Sequence, residues 1–237
     1  MSYFFSSFSL FSSLKKLFVA KLDYFSSFKC DDDKYDDGGH HDGGHHDGGG
    51  HDDGGCDGGC PTGDPIGTEV IRGTAEGDLL ETTAGYASTI AGNSGDDTIN
   101  GGDYADYILG NRGDDLIKGG CGDDSLYGGE NDDTIYGGDG DDFISGDEGA
   151  DLLYGGEGAD TFEFESTDIG DGAVDTIADF DGAEDIISIP EYTAAELSFD
   201  LAANGSDVEI YVNDVLEVVV LDSTVGEVEA ATAYAMV

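Results

Sequence analysis

The chain has 237 residues, and its 54 Asp and Glu stand against 8 Lys and Arg, a formal net charge of −46. That balance excludes a nucleic-acid partner, because neutralising phosphates takes the basic side chains missing here. Forty glycines beside 3 prolines exclude collagen and polyproline, and 38% hydrophobic residues with 12 Tyr and 12 Phe are too many for a plain disordered acidic chain.

Residues 1–30 place Phe4, Phe8, Phe11, Leu14, Phe18, Leu22, Phe25 and Phe28 three or four apart, which predicts an amphipathic helix. Lys15, Lys16, Lys21 and Lys29 against Asp23 make it net positive. The lysines interrupt the apolar run too often for a transmembrane span, and the pattern of a cleaved signal peptide is missing. The apolar face suits packing on the protein or on another copy, and equally contact of residues 1–30 with a membrane surface. Residues 31–66 form a tract rich in Asp, Gly, His and Cys that includes His40, His41, His45, His46, His51, Cys56 and Cys60. It reads as a flexible acidic linker. Imidazole and thiolate also suit a transition metal such as Zn, Cu or Ni, although no zinc-finger spacing is present. Four cysteines allow three pairings, of which Cys56–Cys60 is one, and Cys121 reads as an isolated thiol.

From Gly92 to Glu163 the chain divides without a gap into nine-residue lines: GNSGDDTIN, GGDYADYIL, GNRGDDLIK, GGCGDDSLY, GGENDDTIY, GGDGDDFIS, GDEGADLLY and GGEGADTFE. Position one is always Gly and position six always Asp. Position eight is Ile99, Ile108, Ile117, Leu126, Ile135, Ile144, Leu153 or Phe162. GTAEGDLLE from Gly73 fits the same columns, and TTAGYASTIA after it is a degenerate turn with one extra residue. Glycine permits tight loops, and the last three residues of each line suit a short strand with position eight facing inward. One such strand cannot bury its apolar residue alone. Two strands and two loops make an 18-residue coil, and stacked coils build a continuous core between two parallel sheets.

The pattern GGxGxD followed by x, apolar, x resembles the nonapeptide of the RTX, or hemolysin-type calcium-binding, repeat family. The resemblance implies a parallel β-roll with Ca2+ held in the loops between coils by the position-six carboxylates and loop carbonyls. Carried over residue by residue, it nominates Asp97, Asp106, Asp115, Asp124, Asp133, Asp142, Asp151 and Asp160, together with Asp78 from the earlier line; Ala87 falls in that column of the degenerate turn. The 18-residue period places Asp97, Asp115, Asp133 and Asp151 along one ridge and Asp106, Asp124, Asp142 and Asp160 along the other, for about six regular ion sites. Tyr104 and Asn131 depart from Gly at position four. The position-five residues Asp96, Asp114, Asp123, Asp132 and Asp141 read as solvated carboxylates that add field strength.

After the repeats, residues 164–237 look like the cap that closes such a roll, with Asn204-Gly205 and Asn213-Asp214 as hairpin turns. The terminus EVEAATAYAMV resembles the uncleaved signal of type I secretion substrates. The expected class is therefore all-β: a parallel β-roll over residues 67–163 with a C-terminal β cap, preceded by an N-terminal amphipathic helix and a disordered linker. With no HExxH and no nucleophile elbow, the chain does not read as an enzyme. The expected function is a calcium-binding RTX protein, exported by a type I secretion apparatus and folding on Ca2+ outside the cell, with a scaffold, adhesive or matrix role. The alternatives are an accessory module or small relative of RTX enzymes, of the protease or alginate epimerase type, or a membrane-active toxin.

Overall fold

The inward apolar residue of each line and the glycines around it dictate short strands, three to nine residues long, separated by tight loops. The computed structural model describes residues 60–170 and 172–234. In chain order its strands are β1 (Gly67–Arg72), β2 (Leu79–Glu81), β3 (Tyr86–Ser94), β4 (Thr98–Gly102), β5 (Tyr107–Arg112), β6 (Leu116–Cys121), β7 (Ser125–Glu130), β8 (Thr134–Asp139), β9 (Phe143–Glu148), β10 (Leu152–Glu157) and β11 (Thr161–Glu163). They continue as β12 (Asp175–Ile177), β13 (Ile186–Ile189), β14 (Leu197–Leu201), β15 (Val208–Val212), β16 (Val215–Val220) and β17 (Thr232–Tyr234).

Odd and even strands of the roll part into two sheets. One runs β1-β3-β5-β7-β9-β11-β13-β17, and the other continues from β2 through β4, β6, β8, β10 and β12 to the cap strands β16, β15 and β14. Within the roll every pairing is parallel; from β3 to β11 it joins residues 18 apart, as in Ile108 with Leu126 and Ile117 with Ile135, and β1 with β3 and β2 with β4 join residues 19 apart. Position eight lies between the sheets. From Ile90 through Ile99, Ile108, Ile117, Leu126, Ile135, Ile144 and Leu153 to Phe162 it is wholly buried, and Ile177 and Ile187 extend the stripe into the cap. Each coil adds two such side chains, each burial stabilising by about 1.5–3 kcal/mol.

The stack starts before Gly73, because β1 pairs with β3 and sets Ile71 beside Ile90. The degenerate turn also differs from expectation. Ser88, not Ala87, takes column six, since the extra residue is absorbed in the turn closed by the Tyr86 N–H on the Thr83 carbonyl.

The expected class needs correction. The helix among the described residues is α1 (Val225–Ala231), inside the cap; the helix expected over residues 1–30 and the tract up to Gly59 lie outside the described residues. A capping box starts α1: Thr224 Oγ1 accepts the Glu227 N–H, and Glu227 Oε2 accepts the Thr224 N–H at 3.1 Å. Val228 points into the core with no exposed surface. The chain then enters β17, which pairs with β13 and extends the first sheet. On the second sheet, β14, β15 and β16 are antiparallel. Asn213 and Asp214 both adopt positive φ in the two-residue turn joining β15 to β16, the geometry such a hairpin requires. Among the described residues no helix is long and apolar enough to cross a membrane.

Candidate metal centre

Each position-six aspartate stands two residues before the buried position-eight side chain, so strand alternation turns it inward at the loop edge. Asp97, Asp106, Asp115, Asp124, Asp133, Asp142, Asp151 and Asp160 are all buried. They fall into the two expected rows, and each carboxylate reaches back one coil. Oδ1 of Asp115 accepts the Asp97 N–H, Asp133 that of Asp115, and Asp151 that of Asp133, all at 2.7 Å. In the other row Asp124 accepts from Asp106 at 2.7 Å, Asp142 from Asp124 at 2.8 Å and Asp160 from Asp142 at 2.9 Å. At the N-terminal end Asp97 accepts from Asp78, and Asp106 from Ser88.

The second carboxylate oxygen is treated differently. Oδ2 of Asp97, Asp106, Asp115, Asp124, Asp133, Asp142 and Asp160 is buried with no hydrogen-bond partner. An oxygen in that position is costly unless a positive charge faces it. The position-one glycines show where it points. A Cβ on Gly128 would run into Asp133 Oδ2 and lie 2.6 Å from the Gly146 carbonyl oxygen one coil on, and Gly92, Gly101, Gly110, Gly119 and Gly137 face the same pair of atoms in their own loops. Glycine at position one is thus required by space. At position two it is favoured by backbone: φ is +126° at Gly129, and where glycine is replaced, Asn93, Asn111 and Asp147, types that tolerate positive φ, stand there with φ of 81°, 81° and 63°.

Burial sets the protonation of the rows. Desolvation pushes Asp124 and Asp133 up to about 9, reinforced by Asp142 and Asp106 around the first and by Asp151 and Asp115 around the second. Asp106 and Asp142 rise to about 7, and Asp115 and Asp160 to about 6, again through burial first. Asp97, near the open end, is raised by the same cause. The described chain has Arg72, Arg112 and Lys118 as its only basic residues, and Arg112 pairs with Glu130 at 3.0 Å on the surface. A donor set of carboxylate and carbonyl oxygen, short of one positive charge per loop, fits Ca2+.

Asp78 does not match the others: it is partly exposed, and its Oδ2 accepts from Thr74 N–H at 2.6 Å and from Thr74 Oγ1 at 2.9 Å. The loops with Tyr104 and Asn131 keep Asp106 and Asp133 in their rows, Asn131 by taking φ +87°. The position-five carboxylates are exposed yet form a ladder of their own, running forward: Oδ1 of Asp96, Asp123, Asp132 and Asp141 accepts from Asp114, Asp141, Ala150 and Ala159 N–H one coil on. Two residues went unnoticed in the sequence. Asp175 and Asp185 continue the rows into the cap, accepting the N–H of Asp151 at 2.8 Å and of Asp160 at 3.0 Å. Their signal is the triplet Asp, any residue, Ile, present at 175–177 and 185–187.

The cysteine expectations change as well. Cys60 is joined to Cys121 by a disulfide with Cα atoms 5.4 Å apart, so Cys121 is not an isolated thiol and Cys60 is not paired with Cys56. Stacking brings the Cys121 loop beside the start of the described chain, a proximity that residue spacing does not encode. Cys60, Cys121 and Asp139 offer ligand atoms within 4.8 Å of one another, but sulfurs bonded to each other are not thiolate ligands. The histidines of the same tract lie outside the described residues.

A family comparison falls on the same coils. Residues 91–126, 100–135 and 127–162 match the RTX calcium-binding nonapeptide repeat (4 copies). Among solved structures, the AlgE6R2 subunit of the Azotobacter vinelandii mannuronan C5-epimerase is 24% identical, with 58% of this chain and 92% of that one covered at a TM-score of 0.34. The AlgE6R3 subunit of the same enzyme is 19% identical, with 74% and 82% covered at a TM-score of 0.29. No curated protein sequence matches the chain. Repeat columns, buried rows and sequence match coincide on the same coils, and residues 91–162 belong to the RTX calcium-binding nonapeptide repeat family.

Proposed function

We propose that this protein binds several Ca2+ ions between successive coils and that binding drives the roll to fold. The observation that carries the reading is the buried Oδ2 of Asp97, Asp106, Asp115, Asp124, Asp133, Asp142 and Asp160, each without a hydrogen-bond partner. Asp97, Asp106, Asp115, Asp124, Asp133, Asp142, Asp151 and Asp160 would hold the ions together with position-one carbonyls, while Asp78, engaged by Thr74, stands at the margin. Bound calcium would supply the positive charge that lets these carboxylates stay ionised inside the protein. Without it, neighbours along a row repel one another and each pays for its own desolvation.

This dependence suits a chain exported unfolded through a type I apparatus and folded outside the cell, where calcium reaches the range in which extracellular modules bind it. The Cys60–Cys121 disulfide supports an oxidising location. Coils and cap account for every element among the described residues, which supports an accessory, non-catalytic module over a self-contained enzyme. Each site stabilises the folded form by about 2.7 kcal/mol when free ion is a hundredfold above Kd, so several sites make folding steep in calcium. Circular dichroism of the full chain should show strand signal rising cooperatively with added Ca2+ and falling with EGTA. A chain equally folded in EGTA, with no ion retained on dialysis, would overturn the reading.

A further inference from the structure

One corner of the roll breaks the pattern of its own column. In the loops that lead from the second sheet to the first, position three is Asp103, Cys121, Asp139 and Glu157 in turn, so a thiol side chain stands among carboxylates. The pairing of β6 with β8 sets Cys121 beside Asp139, and the Gly122 N–H on the Asp139 carbonyl at 2.8 Å ties the two loops together. Cys60 reaches the same corner from the start of the described chain and bonds to Cys121. Its Sγ lies 3.3 Å from Asp139 Oδ2. The two sulfurs and a carboxylate oxygen of Asp139 all fall within 4.8 Å of one another. Cys60 and Cys121 are half-buried and Asp139 is exposed, which leaves an ion a way in.

While the sulfurs are bonded to each other they offer no thiolate, but a chain that folds reduced brings two thiols together beside a carboxylate. Two outcomes then exclude each other. Oxidation by a small disulfide forms the Cys60–Cys121 bond and breaks the oxidant's own, and two electrons and two protons pass to the oxidant as it becomes two thiols. Metal binding leaves the sulfurs reduced: each thiol gives its proton to water, and each thiolate gives a lone pair to the same cation. Two thiolates and one carboxylate suit Zn2+, with water as fourth ligand, and suit Ca2+ poorly.

We infer that Cys60, Cys121 and Asp139 of the reduced chain form a zinc site that competes with the Cys60–Cys121 disulfide. It shares no ligand with the aspartate rows. It rests on the proposed calcium-driven folding in one respect, that stacking of the coils is what brings the three side chains together.

The test uses the full chain, reduced with a phosphine, desalted without air and titrated with Co2+ as the probe, both in calcium and after calcium removal. Sulfur-to-cobalt charge transfer in the near ultraviolet reports thiolate ligands, so cobalt on carboxylates or imidazoles is silent. Wild type in calcium should show the band and lose it when Zn2+ is added. Cys121→Ser should show a weaker band. Asp139→Asn should bind at least about tenfold more weakly, the least that losing even a supporting group costs a metal site. Cys30 and Cys56 are present in all three chains, so the differences belong to this corner. Zn2+ should also slow formation of the Cys60–Cys121 bond when a small disulfide is added.

Variants that match wild type in band and affinity overturn the site. Strand dichroism on the same samples separates this inference from the reading on which it rests. A band that appears with the strand signal as calcium is added supports both. An equal band in a chain folded without calcium supports the site and overturns calcium-driven folding, and no strand signal in either condition overturns both. If Cys121→Ser loses its strand signal, Asp139→Asn, which keeps both cysteines, decides alone.

Discussion

Each row aspartate divides its work between two oxygens, and substitution can separate them. In Asp124, Oδ1 holds the Asp106 N–H while Oδ2 has no partner and burial drives the carboxyl up to about 9. Asn at this position keeps the Oδ1 acceptor and abolishes the charge. Asp124→Asn should therefore raise the melting temperature of the calcium-free chain at pH 7, lower that of the calcium-loaded chain, and reduce the ion count; a parallel fall in both melting temperatures would refute the division of roles. Gly128→Ala probes the neighbouring wall. Its Cβ would press on Asp133 Oδ2 and the Gly146 carbonyl, which should cost about 1–3 kcal/mol in urea melts at saturating calcium and weaken binding as well. At this scale most of the site is legible in the sequence, because positions one, six and eight repeat without error for eight lines. Legibility ends where spacing slips. Ser88 is displaced by one residue in a turn, and Asp175 and Asp185 follow Asp151 and Asp160 by 24 and 25 residues instead of 18. A row is kept by hydrogen bonds between coils, and these tolerate an insertion that a fixed period does not.

Between coils and cap, two local devices set how the ends of the roll are held. The Cys60–Cys121 bond closes a loop with a sequence separation of 61 residues, tying the start of the described chain to the fourth nonapeptide. Cys121→Ser should lose about 2–4 kcal/mol of stability at saturating calcium, through the greater freedom of the unfolded chain, with calcium stoichiometry unchanged. Urea denaturation with and without reductant would measure it: wild type in reductant should coincide with the variant, and a variant indifferent in both would show that the bond constrains nothing. At the other end, Thr224→Ala removes the side chain that starts α1 and should cost about 1 kcal/mol. The box was readable as Thr-x-x-Glu at residues 224–227, but a seven-residue helix has too little periodicity to stand out from an acidic tail. The cysteine pairing was not readable, since stacking alone decides which loop lies beside Cys60.

For the molecule as a whole, the raised aspartates fix the sign of its response to pH. Asp106, Asp115, Asp124, Asp133, Asp142 and Asp160 titrate between about 6 and about 9 when folded without metal, above the ordinary value of 3.8. The folded form then holds more protons than the unfolded one between those limits. Its stability is fully present below about 4 and is lost as pH climbs through the folded values. Acid should therefore stand in for calcium: in EGTA, strand signal should be greater at pH 5 than at pH 8, opposite to the usual behaviour of proteins held by salt-bridged carboxylates. Protons and calcium compete for the same oxygens, so calcium binding to the folded roll should weaken as pH falls from 8 to 6, whereas the calcium midpoint for folding should move to lower concentration, because protonation already favours the folded form. Sedimentation run beside the dichroism separates folding from precipitation of a chain losing its negative charge. A calcium-free chain whose structure is insensitive to pH over this range, or one that gains structure toward pH 8, would mean that the row carboxylates are satisfied by the protein itself, and the high negative charge would then have no part in controlling when the roll folds.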